Sequence, residues 1–155
     1  MSVIGGADIE NGYYELVREF ASQRLAGQVE FLGWRGQSEL PALLANHDIM
    51  VLPSRQETLP MSIAEAMGAG KVVVVSNVGG LPEMVTHQQT GFLFDPFNIA
   101  DLMTILVQLN GNNDLVQKVG NLAKTFAEEN FDNHLIANQT VNYYKYILSK
   151  ETFRV

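Results

Sequence analysis

At 155 residues and 46% hydrophobic content, the chain is long enough for one domain with a real core, since domains cluster at about 100 to 150 residues. A net charge of -7, with ten basic residues spread along the chain, argues against a nucleic-acid surface but leaves room for a phosphorylated small molecule held by backbone amides at a helix start. Cysteine is absent and His47, His87 and His134 are scattered, so no disulfide or metal site is expected, and with neither a signal peptide nor a transmembrane segment the reading is of a cytoplasmic protein.

Val3 and Ile4 before Gly5-Gly6 read as the tail of a buried strand entering a turn. From Gly12, the apolar positions Tyr13, Leu16, Val17, Phe20, Ala21 and Leu25 follow helical spacing, predicting a helix to about Ala26 with Gly27 as its stop. Val29, Phe31 and Leu32 then form a short strand closed by Gly33, and Gln37 to Asn46 forms a helix with Pro41 in its first turn. Ile49-Met-Val-Leu and Val72-Val-Val-Val are short continuous apolar runs, expected of parallel strands buried on both faces. Between them a helix is expected from Pro60, with Ile63, Ala64, Met67 and Gly68 toward the sheet and Gly70 as its stop. Strand, loop, helix and strand make a parallel crossover unit. Beyond it the sequence predicts a turn at Gly79-Gly80, a short helix from Leu81 to Val85 and a small strand from Gly91 to Phe94. Three helices follow, at Ile99 to Leu109, Asp114 to Glu129 and about His134 to Leu148. No internal repeat or linker marks a domain boundary.

The chemistry concentrates between Pro53 and Glu83. Ligands of open parallel sheets bind beyond the carboxyl ends of the strands, which puts Glu57, after Leu52, in a crevice. Pro60 keeps Glu57 off the helix that carries Glu65, because a proline inside a helix removes a hydrogen bond and clashes with the preceding turn. The unpaired amides of Met61, Ser62 and Ile63 open toward the same space. A carboxylate accepts from two hydroxyls and so suits a sugar diol, while a helix start suits a diphosphate. Each element also has a plainer reading. Glutamate near a helix start complements the dipole, Glu83 is explained the same way, and Gly79-Gly80 alone is a turn. Trp34 and Arg35 either frame a base by stacking and charge or form an exposed loop pair.

The order of these residues carries a resemblance. Gly33, Asp48-Ile-Met-Val-Leu-Pro-Ser, Glu57 with seven residues before Glu65, Glu65-Ala-Met-Gly-Ala-Gly, Val72-Val-Val-Val-Ser, Gly79-Gly80-Leu-Pro-Glu83 and Thr90-Gly-Phe-Leu-Phe together resemble the C-terminal, donor-binding domain of family 4 retaining glycosyltransferases. The resemblance implies an α/β fold, the C-terminal half of the GT-B architecture, with a Rossmann-like parallel sheet flanked by helices and a helical C-terminal tail. It implies a metal-independent enzyme that needs no cofactor and transfers a sugar, with retention, from a nucleotide-diphosphate sugar to a sugar, lipid or protein acceptor. Glu57 is then the catalytic residue and contacts the donor-sugar hydroxyls, and Glu65 takes the ribose. Thr58, Leu59, Pro60, Met61 and Ser62 lie along sugar and diphosphate, and the loop of Gly33, Trp34 and Arg35 frames the base.

Three positions depart from the family pattern: Thr58 stands where glycine or proline is frequent, Pro60 where glycine is usual, and Lys71 where proline is common. The resemblance further implies that an acceptor-binding N-terminal domain, and the first strand of this domain with the Arg and Lys that clamp the diphosphate, precede Met1. The isolated chain is therefore expected to show negligible transfer, and the full-length protein is compatible with peripheral membrane attachment. The last helix, with Tyr143 and Tyr144, resembles the segment that crosses back to the N-terminal domain. A non-catalytic nucleotide-binding or interaction module derived from the same architecture is the alternative; a GT-B epimerase fits the two glutamates less well.

Overall fold

Every strand pairing between named strands is parallel, over two sheets. The computed structural model describes residues 1–5, 12–25 and 27–151, and its contacts divide at residues 43 and 44 into two units, Met1–Leu43 and Leu44–Val155.

In the first unit, β1 (Ser2–Ile4) pairs with β2 (Glu30–Gly33), and α1 (Tyr13–Leu25) lies between them in sequence. The pairing register shifts between Val3 and Ile4, so that Ile4 stands opposite Gly33, which takes a left-handed φ of 68°. The helix falls where the apolar spacing predicts, yet of its apolar face only Ala21 is buried, while Tyr13, Leu16 and Phe20 are exposed. Two strands of three and four residues offer too little surface to cover a helix face. The ring contact to the sheet is made instead by Tyr14, edge-on to Phe31 at 5.9 Å between centroids. Ile4 likewise is exposed where a buried strand was expected. Gly6 and Ala26 lie outside the described residues. The helix expected from Gln37 is shorter, α2 (Leu40–Ala45), with a turn over 37–39 and Pro41 at its second residue.

In the second unit, β3 (Ile49–Leu52), β4 (Val72–Ser76) and β5 (Phe92–Phe94) form a sheet in that order. The helices are α3 (Met61–Gly68), α4 (Leu81–Met84), α5 (Ile99–Leu109), α6 (Asn113–Asn130) and α7 (Asn133–Glu151). β4 is central, and all five of its residues are buried. Alternate side chains point to opposite faces of a strand, and the core divides accordingly. Val73 and Val75 belong with Ile63, Ala64, Ala66 and Met67 of α3, Leu81 and Met84 of α4, and Ala123 and Ala127 of α6. Val72 and Val74 belong with Phe92, Phe94, Ile105, Leu109 and Val119. Each fully buried valine contributes about 1.5–3 kcal/mol relative to exposure.

β3, predicted to be buried on both faces, is an outer strand of this sheet and only partly covered, with Val51 37% exposed. Its apolar sequence resembles that of β4, but among the described residues it has a sheet neighbour on one side only. In α3, Ala66 is buried in the place expected for Gly68, which faces solvent.

Just beyond α3 the chain turns at Gly70, φ 71°, whose amide donates back to the Met67 carbonyl at 2.8 Å. α6 packs on this end so closely that a Cβ on Gly120 would fall on the Gly70 carbonyl. Most of α7 is exposed, including Tyr143 and Tyr144. No helix among the described residues is long and apolar enough to cross a membrane.

Candidate functional site

Leu52 stands opposite Val75 at the carboxyl ends of β3 and β4, and the buried Ser76 hydroxyl donates to the Leu52 carbonyl at 3.5 Å. The loops that follow these two strands therefore emerge side by side. The first, 53–60, carries Glu57. The second, 77–80, carries Gly79 and Gly80.

The half-buried Glu57 carboxylate is held from within its own loop. One oxygen accepts the amide of Thr58 at 3.0 Å, and the other accepts the Ser54 hydroxyl at 3.4 Å. The loop is in turn fixed by its neighbour, since the Gly80 amide donates to the Thr58 carbonyl at 3.0 Å. A Cβ on Gly79 would fall on the Glu57 carbonyl, and one on Gly80 would strike the Thr58 carbonyl. Gly79 also has a φ of 55°, a conformation that favours glycine. The pair is thus a turn, as sequence suggests, and also the only residue type that lets the second loop close on the first. Ser54, Gly79 and Gly80 all stand within the motif series, but their part in shaping the site is visible only in the structure.

Pro60 is the residue before the helix, with extended φ −72° and ψ 118°, rather than its first helical residue. It contributes no side-chain cap, and the Ile63 amide turns back to the Pro60 carbonyl at 3.0 Å. The Met61 and Ser62 amides thus open the helix without a capping side chain, at its positive end. Glu65 lies three residues after Ser62 and four after Met61, which sets it on the same helix face. It is half-buried at the margin of the face formed by Ile63, Ala64, Ala66 and Met67. Leu59 and Met61 are exposed large apolar side chains, and Thr58 is also exposed. The structure therefore gathers Glu57, Thr58, Leu59, Pro60, Met61, Ser62 and Glu65 into one continuous loop and helix start.

Gly33, Trp34 and Arg35 belong to the other unit. Trp34 is 84% exposed. The Arg35 guanidinium binds the Glu39 carboxylate at 3.2 Å, and the other oxygen of Glu39 accepts the Gly36 amide at 2.9 Å. Glu39 therefore shapes the turn that presents Trp34. Among the described residues no group of three or more carboxylate or imidazole side chains is placed to hold a metal. His87 serves the fold: its Nδ1 accepts the Leu93 amide at 3.1 Å and its ring meets Phe92 edge-on.

Residues 1–126 match the family model of the glycosyl transferases group 1. The chain belongs to this family. Among relatives, the glycogen synthase of Mycobacterium tuberculosis is 31% identical over 129 residues, covering 83% of this chain and 31% of that protein. HepE of Anabaena, solved in complex with UDP and glucose, superposes with a TM-score of 0.83 at 28% identity, over 93% of this chain and 39% of HepE. The C-terminal domain of a glycosyl transferase group 1 protein from Francisella tularensis shares the fold, with a TM-score of 0.78 at 22% identity, over 85% of this chain and 69% of that domain structure. The expected architecture, parallel strands flanked by helices as in the C-terminal half of a GT-B glycosyltransferase, is the one found. The chain spans 20% to 35% of the first curated relatives it matches.

Proposed function

We propose that the chain is the nucleotide-sugar-binding domain of a retaining, metal-independent glycosyltransferase of family 4. The observation that carries this reading is the held Glu57 carboxylate beside an uncapped helix start, at the carboxyl ends of two parallel strands. Glu57 receives hydroxyls of the donor sugar, the amides of Met61 and Ser62 receive the diphosphate, and Glu65 receives the ribose diol. On the other unit, Trp34 by stacking and Arg35 by charge suit a nucleotide base. The UDP and glucose bound to HepE, a relative at 28% identity, support a donor of this class.

In such a reaction the protein's part is electrostatic. Preorganised donors stabilise the departing diphosphate while positive charge develops on the sugar ring. The helix start supplies part of that stabilisation here. Basic groups and an acceptor site on a further part of the protein supply the rest, in keeping with the share of its relatives that this chain spans. Domain organisation follows from the same reading: residues 1–155 are the donor side of a longer two-domain enzyme.

The experiment is direct. Calorimetric titration of the chain with UDP, GDP and ADP, then with their glucose conjugates, identifies the base and tests for a sugar contribution. Hydrogen bonds to a charged group are worth about 1.5–3 kcal/mol, so Glu57→Ala and Glu65→Ala should each weaken binding of the preferred donor about 10- to 100-fold. Transfer by the full-length enzyme should fall by at least as much. Near-normal turnover in both variants would overturn the site assignment. Donor binding without transfer by the full-length protein would favour a non-catalytic module.

A further inference from the structure

The outer face of α5 is unlike any ordinary solvated helix face. Its exposed residues are Ile99, Ala100, Met103, Thr104, Val107 and Gln108, none of them charged. Ile99, Met103 and Val107 are 70%, 59% and 73% exposed, and Phe97, just before the helix, is 80% exposed. The Thr104 hydroxyl is spent on the Ala100 carbonyl at 2.8 Å. The one acid of the helix, Asp101, accepts the Asp95 amide at 3.0 Å. The adjacent helix α6 shows the usual alternative, with Asp114, Lys118, Lys124, Glu128 and Glu129 on its exposed side. Four large apolar side chains, each mostly uncovered, expose on the order of 500 Å², comparable to the largest apolar patch of a typical monomer (about 300–600 Å²), a patch that is often functional.

We propose that this face is an interface between two copies of the chain, pairing α5 with α5 about a two-fold axis near Met103. Three observations select a second copy. Ile99, Met103 and Val107 stand at i, i+4 and i+8, the ridge that interlocks with an identical ridge on a second helix. A two-fold contact is self-complementary, and the middle residue of the ridge lies nearest the axis. Two molecules of net charge -7 repel, so they meet most favourably where the surface carries no charge. An anionic lipid surface is disfavoured by the same charges, because it requires Lys or Arg beside the apolar face. No Lys or Arg occurs between Lys71 and Lys118, while Glu83, Asp95, Asp101 and Asp114 do. Each copy burying about 500 Å² gives roughly 1,000 Å², the lower bound for a specific interface.

The test is the oligomeric state by sedimentation velocity, over a hundredfold range of concentration. The chain is expected to dimerise, and Met103→Glu or Val107→Lys to raise the dimer dissociation constant at least 100-fold with an unchanged circular-dichroism melting curve. Because the chain has no cysteine, Met103→Cys provides a clean probe, and mild oxidation should yield a disulfide-linked dimer that Val107→Lys abolishes. A monomer at every concentration overturns the proposal. So does a dimer that survives both charge substitutions, or one dissolved by Tyr144→Glu on α7 instead. Flotation of the wild-type chain with phosphatidylcholine–phosphatidylglycerol vesicles, lost in Met103→Glu, would assign the face to lipid and equally overturn it.

Discussion

The two units are built from similar-looking sequence and come out differently packed. Met1–Leu43 has apolar residues at helical and strand spacing, yet buries only Ala21 among its described residues. Leu44–Val155 sandwiches β4 between two apolar clusters. Pattern alone does not bury a residue; the number of neighbouring elements does. The difference extends to how each unit holds its own candidate residues. The carboxylate of Glu57 stands on the densely packed unit, held by a loop that closes on it, while Trp34 stands exposed on the lightly packed one. Positioning at the first involves backbone contact between two loops, and at the second the Glu39 carboxylate, which meets both the Arg35 guanidinium and the Gly36 amide.

Substitutions can break or sharpen this contrast. The largest effect is expected for Gly79→Ala, whose added methyl falls on the Glu57 carbonyl at a backbone φ of 55°. A loss of about 3 kcal/mol or more in urea unfolding is expected, at the upper end of single-substitution effects. A loss under about 1 kcal/mol would mean that the two loops yield easily and do not fix one another. Next comes a matched pair. Val74→Ala removes two methyl groups from the fully buried strand and should cost about 2 kcal/mol, whereas the exposed Leu16→Ala on α1 should stay within about 0.5 kcal/mol. Equal losses would erase the distinction between the units. Within the candidate site, the mildest effect is expected for Ser54→Ala. The hydroxyl is 3.4 Å from the Glu57 carboxylate, a long hydrogen bond, so donor affinity should fall no more than about 5-fold, which corresponds to the ~1 kcal/mol of an ordinary one.

Much of this was legible in the chain itself. The valine run of β4, the glycine stop at residue 70 and the proline that opens α3 each have a local physical cause, and β4 and α3 lie within a residue or two of the expected bounds. What resisted sequence reading depends on distant partners. Val51 was expected to be buried, but β3 is an outer strand of its sheet. The apolar face of α1 is legible as a helix face, but its exposure is not, because that depends on which elements lie beside it. Gly79 and Gly80 read as a turn because their steric role involves Glu57 and Thr58, more than twenty residues earlier. Pro60 was placed one residue too far into the helix, since extended and first-turn positions both accept its fixed φ. The loop and helix start that hold Glu57 and Glu65, by contrast, are contiguous in sequence and were found as one stretch.

The contact between Gly70 and Gly120 gives α3 a mechanical character. Backbone meets backbone there, with no side chain to act as a spring, and close-packed atoms compress little. The carboxyl end of α3 is therefore an anchored foot. Its amino end, by contrast, is opened by Pro60 without a cap. The place of the helix start is thus inherited from a backbone contact at the far end of the helix, and any side chain added at Gly120 would be felt where the loop meets α3.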